Sequence, residues 1–370
     1  MNIVLLEPFF AGSHASWAKQ LKANSAHSIE ILALKGLYWK WRMHGGAVSL
    51  AKQYIQGDFK PDLFIASDML DLTIFQALTR SQTANIPFLV YFHENQLTYP
   101  WSKSDPDPAL ERDRHYGFIN YSSCLSADRV LFNSRYHLDS FLEELPRFLK
   151  FFPDYNELAS AELIRSKSEV LYLGIDLKRF NQFKEKGDKL KQDLSPDLPI
   201  ILWNHRWEYD KNPTDFYELL LRLEQDLISF KLVLLGESYC QVPDVFDLIK
   251  SKFSENILHC GFVEDFSEYA SWLWASDILP VTSNQDFFGV SIVEAIYCKT
   301  TPLLPNRLSY PEILPIAKFS DCYYLELNEL YQKCIKSIQT KSEYSDAVIK
   351  YDWSYLVGEY DQRFLDVVDL

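Results

Sequence analysis

The sequence predicts an α/β protein with two doubly wound domains that face a central cleft. Short apolar runs of strand length alternate with helical stretches, and this alternation occurs twice, once on each side of a charged segment. A chain of 370 residues is also long for a single core. We expect a first domain at 1–180, a second domain at 198–344, and a C-terminal helix at about 345–370 that returns to the first domain.

The first domain begins with an apolar run at 3–6, a loop of small residues and a helical stretch at 16–23. Further strands are predicted at 28–34, 63–66, 88–92, 130–132 and 170–173, with helices at 72–80 and 136–145. The charged segment 181–199 is interpreted as a connection with a short helix. Strands of the second domain are predicted at 200–203, 230–235, 257–260, 278–281 and 301–304, with helices at 213–225, 245–253, 269–274, 290–298 and 353–368.

Composition excludes several classes of protein. The chain has 37 basic and 51 acidic residues and a net charge of −14, which argues against general nucleic-acid binding by phosphate neutralisation but leaves room for a local basic patch. Its six cysteines lack metal-ligand spacing and indicate reduced thiols. With no signal-peptide pattern and no long apolar run, we expect a cytoplasmic protein without a membrane contact. Nucleotide P-loop, three-glycine dinucleotide, serine-hydrolase and zinc-protease motifs are all absent from the sequence.

Two acids flank a Phe-Phe-Gly turn in the second domain. Asp286 precedes the turn, and Glu294 lies inside the apolar helix that follows it. The turn, with Phe288, Gly289 and Val290, places backbone N–H groups at a helix start, where an anion binds favourably. Two acids at different depths along this helix suit two hydroxyl-bearing parts of one ligand, such as a nucleotide sugar. The alternative is a plain helix start with a solvated Glu294.

A basic loop follows the first strand of the second domain. His205, Arg206 and Lys211 lie between this strand and a helix that starts near a proline. Two cations at a strand end suit a diphosphate. The alternative is a surface loop with Arg206–Glu208 and Asp210–Lys211 pairs of small energetic value. Gly236 and Glu237 follow the next strand. They either border a nucleotide base or form an ordinary turn.

Polar clusters also follow two strands of the first domain. The first offers backbone amides and an imidazole, and the second combines an imidazole, an acid and an amide. Open α/β sheets bind ligands at these carboxyl ends of strands, although a tight turn and a structural histidine are the simpler alternatives. The two clusters are Gly12-Ser13-His14 and His93-Glu94-Asn95.

One segment of the first domain interleaves aromatic and basic residues, in the order Trp39, Lys40, Trp41 and Arg42. Such interleaving suits stacking on nucleic-acid bases together with phosphate contacts. The alternative is an amphipathic patch that packs against its own domain. Arg114 belongs to a smaller basic cluster, for which an exposed helix is the favoured interpretation.

The spacing of Asp286 and Glu294 resembles the paired-acid motif of retaining glycosyltransferases with the GT-B fold. Longer blocks resemble the tRNA-queuosine α-mannosyltransferases, from about residue 3 to the tail. These blocks are Glu7-Pro-Phe-Phe-Ala-Gly-Ser-His14, Tyr91-Phe-His-Glu-Asn-Gln-Leu-Thr-Tyr-Pro100, Phe132-Asn-Ser134, His205-Arg-Trp-Glu-Tyr-Asp-Lys-Asn-Pro213, Phe287-Phe-Gly-Val290 and Tyr310-Pro-Glu-Ile313.

The resemblance implies transfer of mannose from GDP-mannose to queuosine of tRNA-Asp, without a metal or another cofactor. It assigns the diphosphate to Arg206 and Lys211, the donor sugar to Asp286 and the ribose to Glu294. Asp286 stands where the wider group has Glu, so it keeps the charge with a shorter reach. Two rivals stay open: a GT-B enzyme with another glycan or small-molecule acceptor, and a non-catalytic nucleotide-sugar-binding protein.

The predicted site therefore has three parts. Catalysis is assigned to His93, Asp286, Arg206 and Lys211. Donor binding is assigned to Gly12, Ser13, His14, His205, Arg206, Lys211, Gly236, Glu237, Phe288, Gly289, Val290 and Glu294. Acceptor binding is assigned to Glu94, Asn95, Trp39, Lys40, Trp41, Arg42 and Arg114.

Overall fold

The computed structural model describes residues 1–102, 104–110, 112–237, 242–340 and 342–369. The chain forms two compact units. The first unit comprises 1–175 together with 353–370, and the second comprises 176–352. Each unit contains one six-stranded parallel sheet with helices between successive strands.

The sheet of the first unit is built from strands whose cores are continuous apolar runs, as expected for a parallel sheet covered on both faces. Its strands are β1 (Asn2–Phe10), β2 (Ser28–Lys35), β3 (Leu63–Ser67), β4 (Phe88–Phe92), β5 (Arg129–Phe132) and β6 (Ser168–Val170). They lie in the order β2-β1-β3-β4-β5-β6. The strand order therefore reverses between β1 and β3. Open α/β sheets bind ligands at such a reversal.

Within the described residues, six α-helices connect these strands, and a seventh returns from the C-terminal end of the chain. They are α1 (Gly12–Asn24), α2 (Trp39–Gln56), α3 (Leu72–Thr83), α4 (Arg114–Ser126), α5 (Arg135–Lys150) and α6 (Ser160–Ser166). The C-terminal helix (Trp353–Val368) buries Trp353, Tyr360 and Phe364 on one stripe. The Tyr360 hydroxyl accepts a hydrogen bond from the Trp17 indole at 3.2 Å and donates one to the Tyr172 carbonyl at 2.9 Å, which fastens this helix to the first unit.

The second unit has the strand order β12-β11-β10-β7-β8-β9. Its strands are β7 (Ile200–Trp203), β8 (Lys231–Leu235), β9 (Ile257–Gly261), β10 (Ile278–Pro280), β11 (Thr301–Pro305) and β12 (Tyr323–Tyr324). Its helices are α7 (Lys184–Leu194), α8 (Pro213–Gln225), α9 (Val245–Lys252), α10 (Phe266–Ala275), α11 (Val290–Tyr297), α12 (Tyr310–Ile313), α13 (Ile316–Phe319), α14 (Leu327–Gln339) and α15 (Ser345–Val348). The order reverses between β7 and β10, so ligands are expected at the ends of these two strands.

The predicted strands and helices are correct in most places, but helices α6, α12, α13 and α15 and strand β12 were not predicted, and three further differences follow. The last strand of the first unit is Ser168–Val170 and not 170–173. The aromatic and basic segment at 39–42 is the start of the long helix α2, which the sequence conceals because Tyr38 at its N-cap has a left-handed backbone (φ 55°) and no capping side chain. Helix α14 was not predicted. In the described part of the chain, no helix has both the length and the apolar character needed to cross a membrane.

Candidate active site

The acid at position 286 and the lysine at position 211 meet where the strand order of the second unit reverses. Lys211 ends a single 3-10 turn (Tyr209–Lys211) after β7, and Asp286 lies in the loop between β10 and α11. The two loops are joined by a backbone hydrogen bond of 2.7 Å from Asn284 N–H to the Asp210 carbonyl. The fold therefore brings together two sequence positions that are 75 residues apart.

Lys211 is buried between acceptors. Its Nζ lies 3.0 Å from Asp210 Oδ2 and 3.0 Å from Asp286 Oδ1, and it donates a hydrogen bond of 2.5 Å to the Gln285 carbonyl. Burial alone would lower the pKa of Lys211, but the Asp286 and Asp210 carboxylates raise it above its usual value. The lysine is therefore a permanent cation within an acidic pocket. The Asp210–Lys211 pair that we considered as a surface feature is instead almost fully buried.

Asp286 has a hydrogen-bond partner on each carboxylate oxygen. Lys211 contacts Oδ1, and the hydroxyl of Tyr310 donates a hydrogen bond of 2.6 Å to Oδ2. Burial would raise the pKa of Asp286, but Lys211, His205 and Tyr310 together hold it below its usual value. Asp286 is therefore ionised near neutral pH, and its side chain keeps an exposed fraction of 17%.

Helix α11 begins at Val290, and its N-cap is Gly289, whose backbone has φ 96°. The Gly289 carbonyl accepts the Ile292 and Val293 N–H groups, each at 3.1 Å, so the earlier N–H groups of the first turn lie at the open helix end. His205 lies beside this end, with Nδ1 3.3 Å from Ser291 Oγ. Burial lowers the pKa of His205 to about 4, so the ring is neutral. Its Nε2 has no hydrogen-bond partner among the described residues.

Glu294 lies one turn into α11, half-buried, and its Oε2 accepts a hydrogen bond of 2.7 Å from the Tyr269 hydroxyl. Burial raises the pKa of Glu294 to about 7, although the Tyr269 hydrogen bond acts in the opposite direction. Glu294 is therefore not the solvated surface residue of the simpler interpretation.

Arg206 and Gly236 border the same strand ends. Arg206 is half-exposed, with Nη2 3.4 Å from Glu208 Oε2. Gly236 has φ 126°, and a Cβ atom there would lie 2.0 Å from the His205 carbonyl oxygen, so only glycine fits. Glu237 is exposed, and its carbonyl accepts the Trp207 N–H at 3.0 Å. The following position, Ser238, lies outside the described residues.

In the first unit, His14 and His93 lie together at the strand reversal between β1 and β3. Their ring centroids are 4.3 Å apart. His14 Nδ1 forms a buried ion pair of 3.0 Å with Glu7 Oε2. Asp68, directly after β3, accepts the His93 N–H at 2.8 Å. Gly12 and Ser13, by contrast, are exposed in the first turn of α1.

The charges of this cluster are strongly coupled. Burial alone would lower the pKa of His14, but Glu7, with weaker contributions from Asp68 and Glu94, raises it to about 9. Burial, together with the charge on His14, holds the pKa of His93 well below its usual value. Burial also raises the pKa of Asp68. The unit therefore presents a charged imidazole and a neutral imidazole side by side. His93 Nε2 and Asp68 Oδ2 have no hydrogen-bond partner in the part of the chain that the structure describes.

Three of these side chains have metal-ligand chemistry. Glu7, His14 and His93 offer ligand atoms that all lie within 4.8 Å of one another. The Nδ1 atom of His14 is already paired with Glu7, and the raised pKa of His14 keeps a proton on the ring near neutral pH. A metal must displace that proton before it binds. The Glu7–His14 ion pair therefore explains the cluster without an ion.

The predicted acceptor residues are dispersed over the first unit. Asn95 is fully buried, and its Oδ1 accepts the Leu97 and Thr98 N–H groups, so its side chain stabilises a turn. Glu94 is half-buried and accepts a hydrogen bond of 3.2 Å from Gln96. The Arg114 guanidinium lies over the ring of Phe151.

The segment at the start of α2 divides into buried and exposed side chains. Trp39 packs against Tyr116 and Trp101, with ring centroids 5.0 and 6.0 Å apart. Lys40 forms ion pairs with Asp105 at 2.7 Å and Asp107 at 2.5 Å. Arg42 donates to the Lys35 carbonyl at 3.0 Å, and the Trp41 side chain is 63% exposed. Of the four, Trp41 has the large accessible ring face.

Sequence reasoning assigned no role to five residues that contact the predicted site residues. They are Glu7, Asp68, Asp210, Tyr269 and Tyr310. A signal was present for Asp68 and Asp210, since each follows a predicted strand by a few residues. Tyr269 lies in α10 and Tyr310 at the start of α12. Only the folded chain therefore brings Tyr269 to Glu294 and Tyr310 to Asp286.

Two parallel-sheet units with an acid pair at the strand reversal of the second define a glycosyltransferase of the GT-B fold. The model of the group 1 glycosyl transferases matches residues 185–318. Among solved structures, sucrose-phosphate synthase from Thermosynechococcus elongatus has a TM-score of 0.73 at 13% identity, with 100% of this chain and 99% of that chain covered. Anabaena HepE in complex with UDP has a TM-score of 0.66 at 15% identity, with both chains covered completely.

The first unit matches a narrower protein family than the second unit does. The model of the tRNA-queuosine alpha-mannosyltransferase N-terminal domain matches residues 2–175. The tRNA-queuosine alpha-mannosyltransferase of Drosophila melanogaster is 36% identical over 336 residues, which are 90% of this chain and 87% of that protein. The chain belongs to the tRNA-queuosine alpha-mannosyltransferase family.

Proposed function

We propose that this protein transfers mannose from GDP-mannose to queuosine in tRNA-Asp, with retention at the anomeric carbon. The observation that supports this most is the pair Asp286 and Glu294 at the strand reversal of the second unit, in a chain of this family. Its five described cysteines are free thiols, which suits the reducing cytoplasm where we propose that it acts.

The second unit is proposed to bind the nucleotide sugar. Glu294 accepts hydrogen bonds from the ribose hydroxyls, and Asp286 accepts them from the donor hexose. The open N-terminus of α11 and the half-exposed Arg206 bind the diphosphate. Lys211 contributes positive charge, but its two carboxylate neighbours already neutralise it. Arg206 and the helix end therefore provide most of the attraction for the phosphates.

This set of cations and amides is proposed to replace a divalent metal at the diphosphate. EDTA should then leave both GDP affinity and hexose transfer unchanged. A loss of transfer that Mg²⁺ or Mn²⁺ restores would contradict this part of the proposal.

The first unit is proposed to bind the acceptor. Because the pKa of His93 is low, its neutral ring exchanges hydrogen bonds with a substrate hydroxyl and does not add charge. Among the described residues, we assign none as a covalent nucleophile. We therefore propose attack on the same face of the sugar, with the departing phosphate accepting the proton of the acceptor hydroxyl.

Mass spectrometry of tRNA tests the whole proposal. Incubation with GDP-mannose and queuosine-containing tRNA-Asp should add the mass of one hexose to the tRNA. The same tRNA with guanosine in place of queuosine should gain nothing. Absence of the hexose on the queuosine-containing tRNA would refute the specific assignment.

Thermal unfolding in the presence of GDP, UDP and ADP sugars separates the remaining candidates. Stabilisation by GDP-mannose without transfer to tRNA would favour another acceptor or a non-catalytic binding protein. Stabilisation by a UDP or ADP sugar alone would move the proposal to another donor. We expect GDP-mannose to raise the unfolding temperature most.

A further inference from the structure

Tyr310 and Lys211 hold the carboxylate of Asp286 from two sides. The lysine contacts Oδ1 at 3.0 Å and the tyrosine hydroxyl contacts Oδ2 at 2.6 Å. Asp286 lies in a loop, and its side chain rotates about two bonds. Two contacts on different oxygens fix both rotations, whereas either contact alone would leave one oxygen free to move.

Tyr310 is itself firmly placed. Its side chain is completely buried at the start of α12. Its carbonyl accepts a hydrogen bond of 2.5 Å from the Tyr323 hydroxyl on β12, which also bonds the Leu314 carbonyl. A Cβ atom at Gly289 would lie 3.5 Å from the Tyr310 ring, so this ring also borders the start of α11. Tyr310 thus links the sheet edge, the helix end and the acid.

The hydrogen bond runs in one direction. Burial and the nearby Asp286 charge raise the pKa of the Tyr310 hydroxyl well above its usual value, so the phenol remains the donor. Each carboxylate oxygen has two lone pairs, and one of each is used by Lys211 and Tyr310. The remaining lone pairs then point in fixed directions, toward which the hydroxyl groups of a bound sugar must be oriented.

We propose that Tyr310 is a positioning residue that orients Asp286 for the hydroxyl groups of the donor hexose and thereby contributes to hexose selection. This inference rests on the proposed nucleotide-sugar site of the second unit. The nucleoside diphosphate without its sugar does not use Asp286 in that proposal, so its affinity is independent of Tyr310.

The test compares two ligands that differ only in the hexose. Dissociation constants for GDP and GDP-mannose are measured by calorimetry on the full chain, and their ratio reports the contribution of the sugar. In Tyr310→Phe we expect GDP affinity to stay within about twofold. With Asp286 no longer oriented, one charge-assisted hydrogen bond from a sugar hydroxyl to its carboxylate is lost, so the contribution of the sugar should fall by about tenfold or more. The preference for GDP-mannose over GDP-glucose should fall with it.

Tyr324→Phe is the matched control. It removes another buried tyrosine hydroxyl of the same unit, which donates a hydrogen bond of 2.6 Å to the Val281 carbonyl and does not contact Asp286. A merely structural effect of losing a buried hydroxyl would change both variants alike. We expect Tyr324→Phe to lose stability but to keep the ratio of the wild-type protein. An unchanged ratio in folded Tyr310→Phe would overturn the inference.

A second variant tests the same inference if Tyr310→Phe does not fold. Asp286→Glu extends the acid toward the space that the Tyr310 hydroxyl occupies, so it should lower the contribution of the sugar. Wild-type affinity for GDP-mannose in Asp286→Glu would also overturn the inference. If the wild-type protein binds UDP or ADP and its sugar instead, the proposed donor fails and the ratio is measured with that pair. If no nucleotide sugar binds, both the proposed function and the inference fail.

Discussion

The ammonium group of Lys211 lies 3.0 Å from Oδ2 of Asp210, and both side chains are almost completely excluded from solvent. With Asp286 on its other side, the lysine carries the positive charge between two carboxylates. Lys211→Ala would leave both acids without a counter-charge. Removal of one partner of a buried ion pair costs about 3–5 kcal/mol, so the free energy of unfolding should fall by that amount. GDP affinity should also fall, since the diphosphate would meet uncompensated negative charge.

A double variant and a control separate the two effects of Lys211→Ala. Lys211→Met with Asp210→Asn removes one charge of each sign and should recover much of the stability in urea unfolding, but not the part of the GDP affinity that the attraction between the lysine charge and the diphosphate provides. Lys191→Ala breaks another lysine–aspartate pair of the second unit, with Asp277, and should leave GDP binding unchanged. Wild-type GDP affinity in the double variant would show that Lys211 does not serve the diphosphate.

The raised pKa of Glu294 predicts a pH-dependent affinity for the nucleotide. Burial moves this pKa from 4.5 to about 7, so Glu294 is largely protonated at pH 6 and ionised at pH 8. Only the ionised form accepts hydrogen bonds from both ribose hydroxyls through all its lone pairs. GDP affinity should therefore rise as the pH increases from 6 to 8 and level off above that range.

Calorimetry at four or five pH values checks this expectation. Glu294→Gln, which has a similar shape and does not titrate, should bind GDP more weakly and with a flat pH profile. A wild-type affinity that decreases from pH 6 to 8, or a Gln variant that retains the wild-type slope, would show that Glu294 does not bind the ribose in its ionised form.

The positions of most strands could be predicted from the sequence, because parallel strands buried on both faces are short, continuous apolar runs. The placement of Asp286 in a turn and Glu294 in the following helix could also be predicted, since their spacing is a local property. The contacts of Lys211 were not predictable in the same way. Its two carboxylate partners come from its own turn and from a loop 75 residues away, so only the folded sheet decides between a surface pair and a buried cluster.

The start of α2 shows a different limit. Alternating aromatic and basic residues indicate two faces, but they do not say which face is buried. Trp39 is half-buried while Trp41 is exposed, and the charge on Lys40 is neutralised by two acids from a segment 65–67 residues further along the chain. The partner of Asp105 and Asp107 is therefore a residue that the sequence assigned to the acceptor.

The ion pair between Glu7 and His14 predicts an unusual histidine titration. Because Glu7 raises the pKa of His14 to about 9, its ring should stay protonated at pH 8. Glu7→Gln removes the charge and should lower the pKa of His14 toward or below 6.5, since burial then acts without a full counter-charge. NMR titration of the histidine ring signals, assigned with His14→Gln, measures this change.

Glu30→Gln is the control for that titration. It removes another glutamate of the first unit, which pairs with Lys22 at the surface, and should leave the His14 signal unchanged. The sign of the associated stability effect follows from the raised pKa. The Glu7–His14 ion pair contributes fully to the free energy of unfolding below pH 6.5, and this contribution disappears as the pH rises through 9. A His14 signal that titrates near pH 6 in the wild-type protein would contradict the assignment.

Trp41 is the residue of α2 that we expect to contact the tRNA. A Cβ atom at Gly45 would lie 2.6 Å from the Trp41 ring, so one ring face is covered by the helix while the side chain stays 63% exposed. Stacking of one base on an aromatic ring is worth roughly 1–3 kcal/mol, so Trp41→Ala should weaken tRNA binding by about tenfold. Lys40→Ala combined with Asp107→Asn keeps the local net charge and should change neither the affinity nor its salt dependence, because Asp105 and Asp107 already neutralise the charge of Lys40. Fluorescence titrations of labelled tRNA at three salt concentrations measure both quantities, with Tyr355→Ala on the C-terminal helix as the control for loss of an exposed aromatic ring. Equal effects of Trp41→Ala and Tyr355→Ala would place the tRNA contact elsewhere on the first unit, whereas a smaller salt slope in the Lys40 variant would show that Lys40 itself contacts a phosphate.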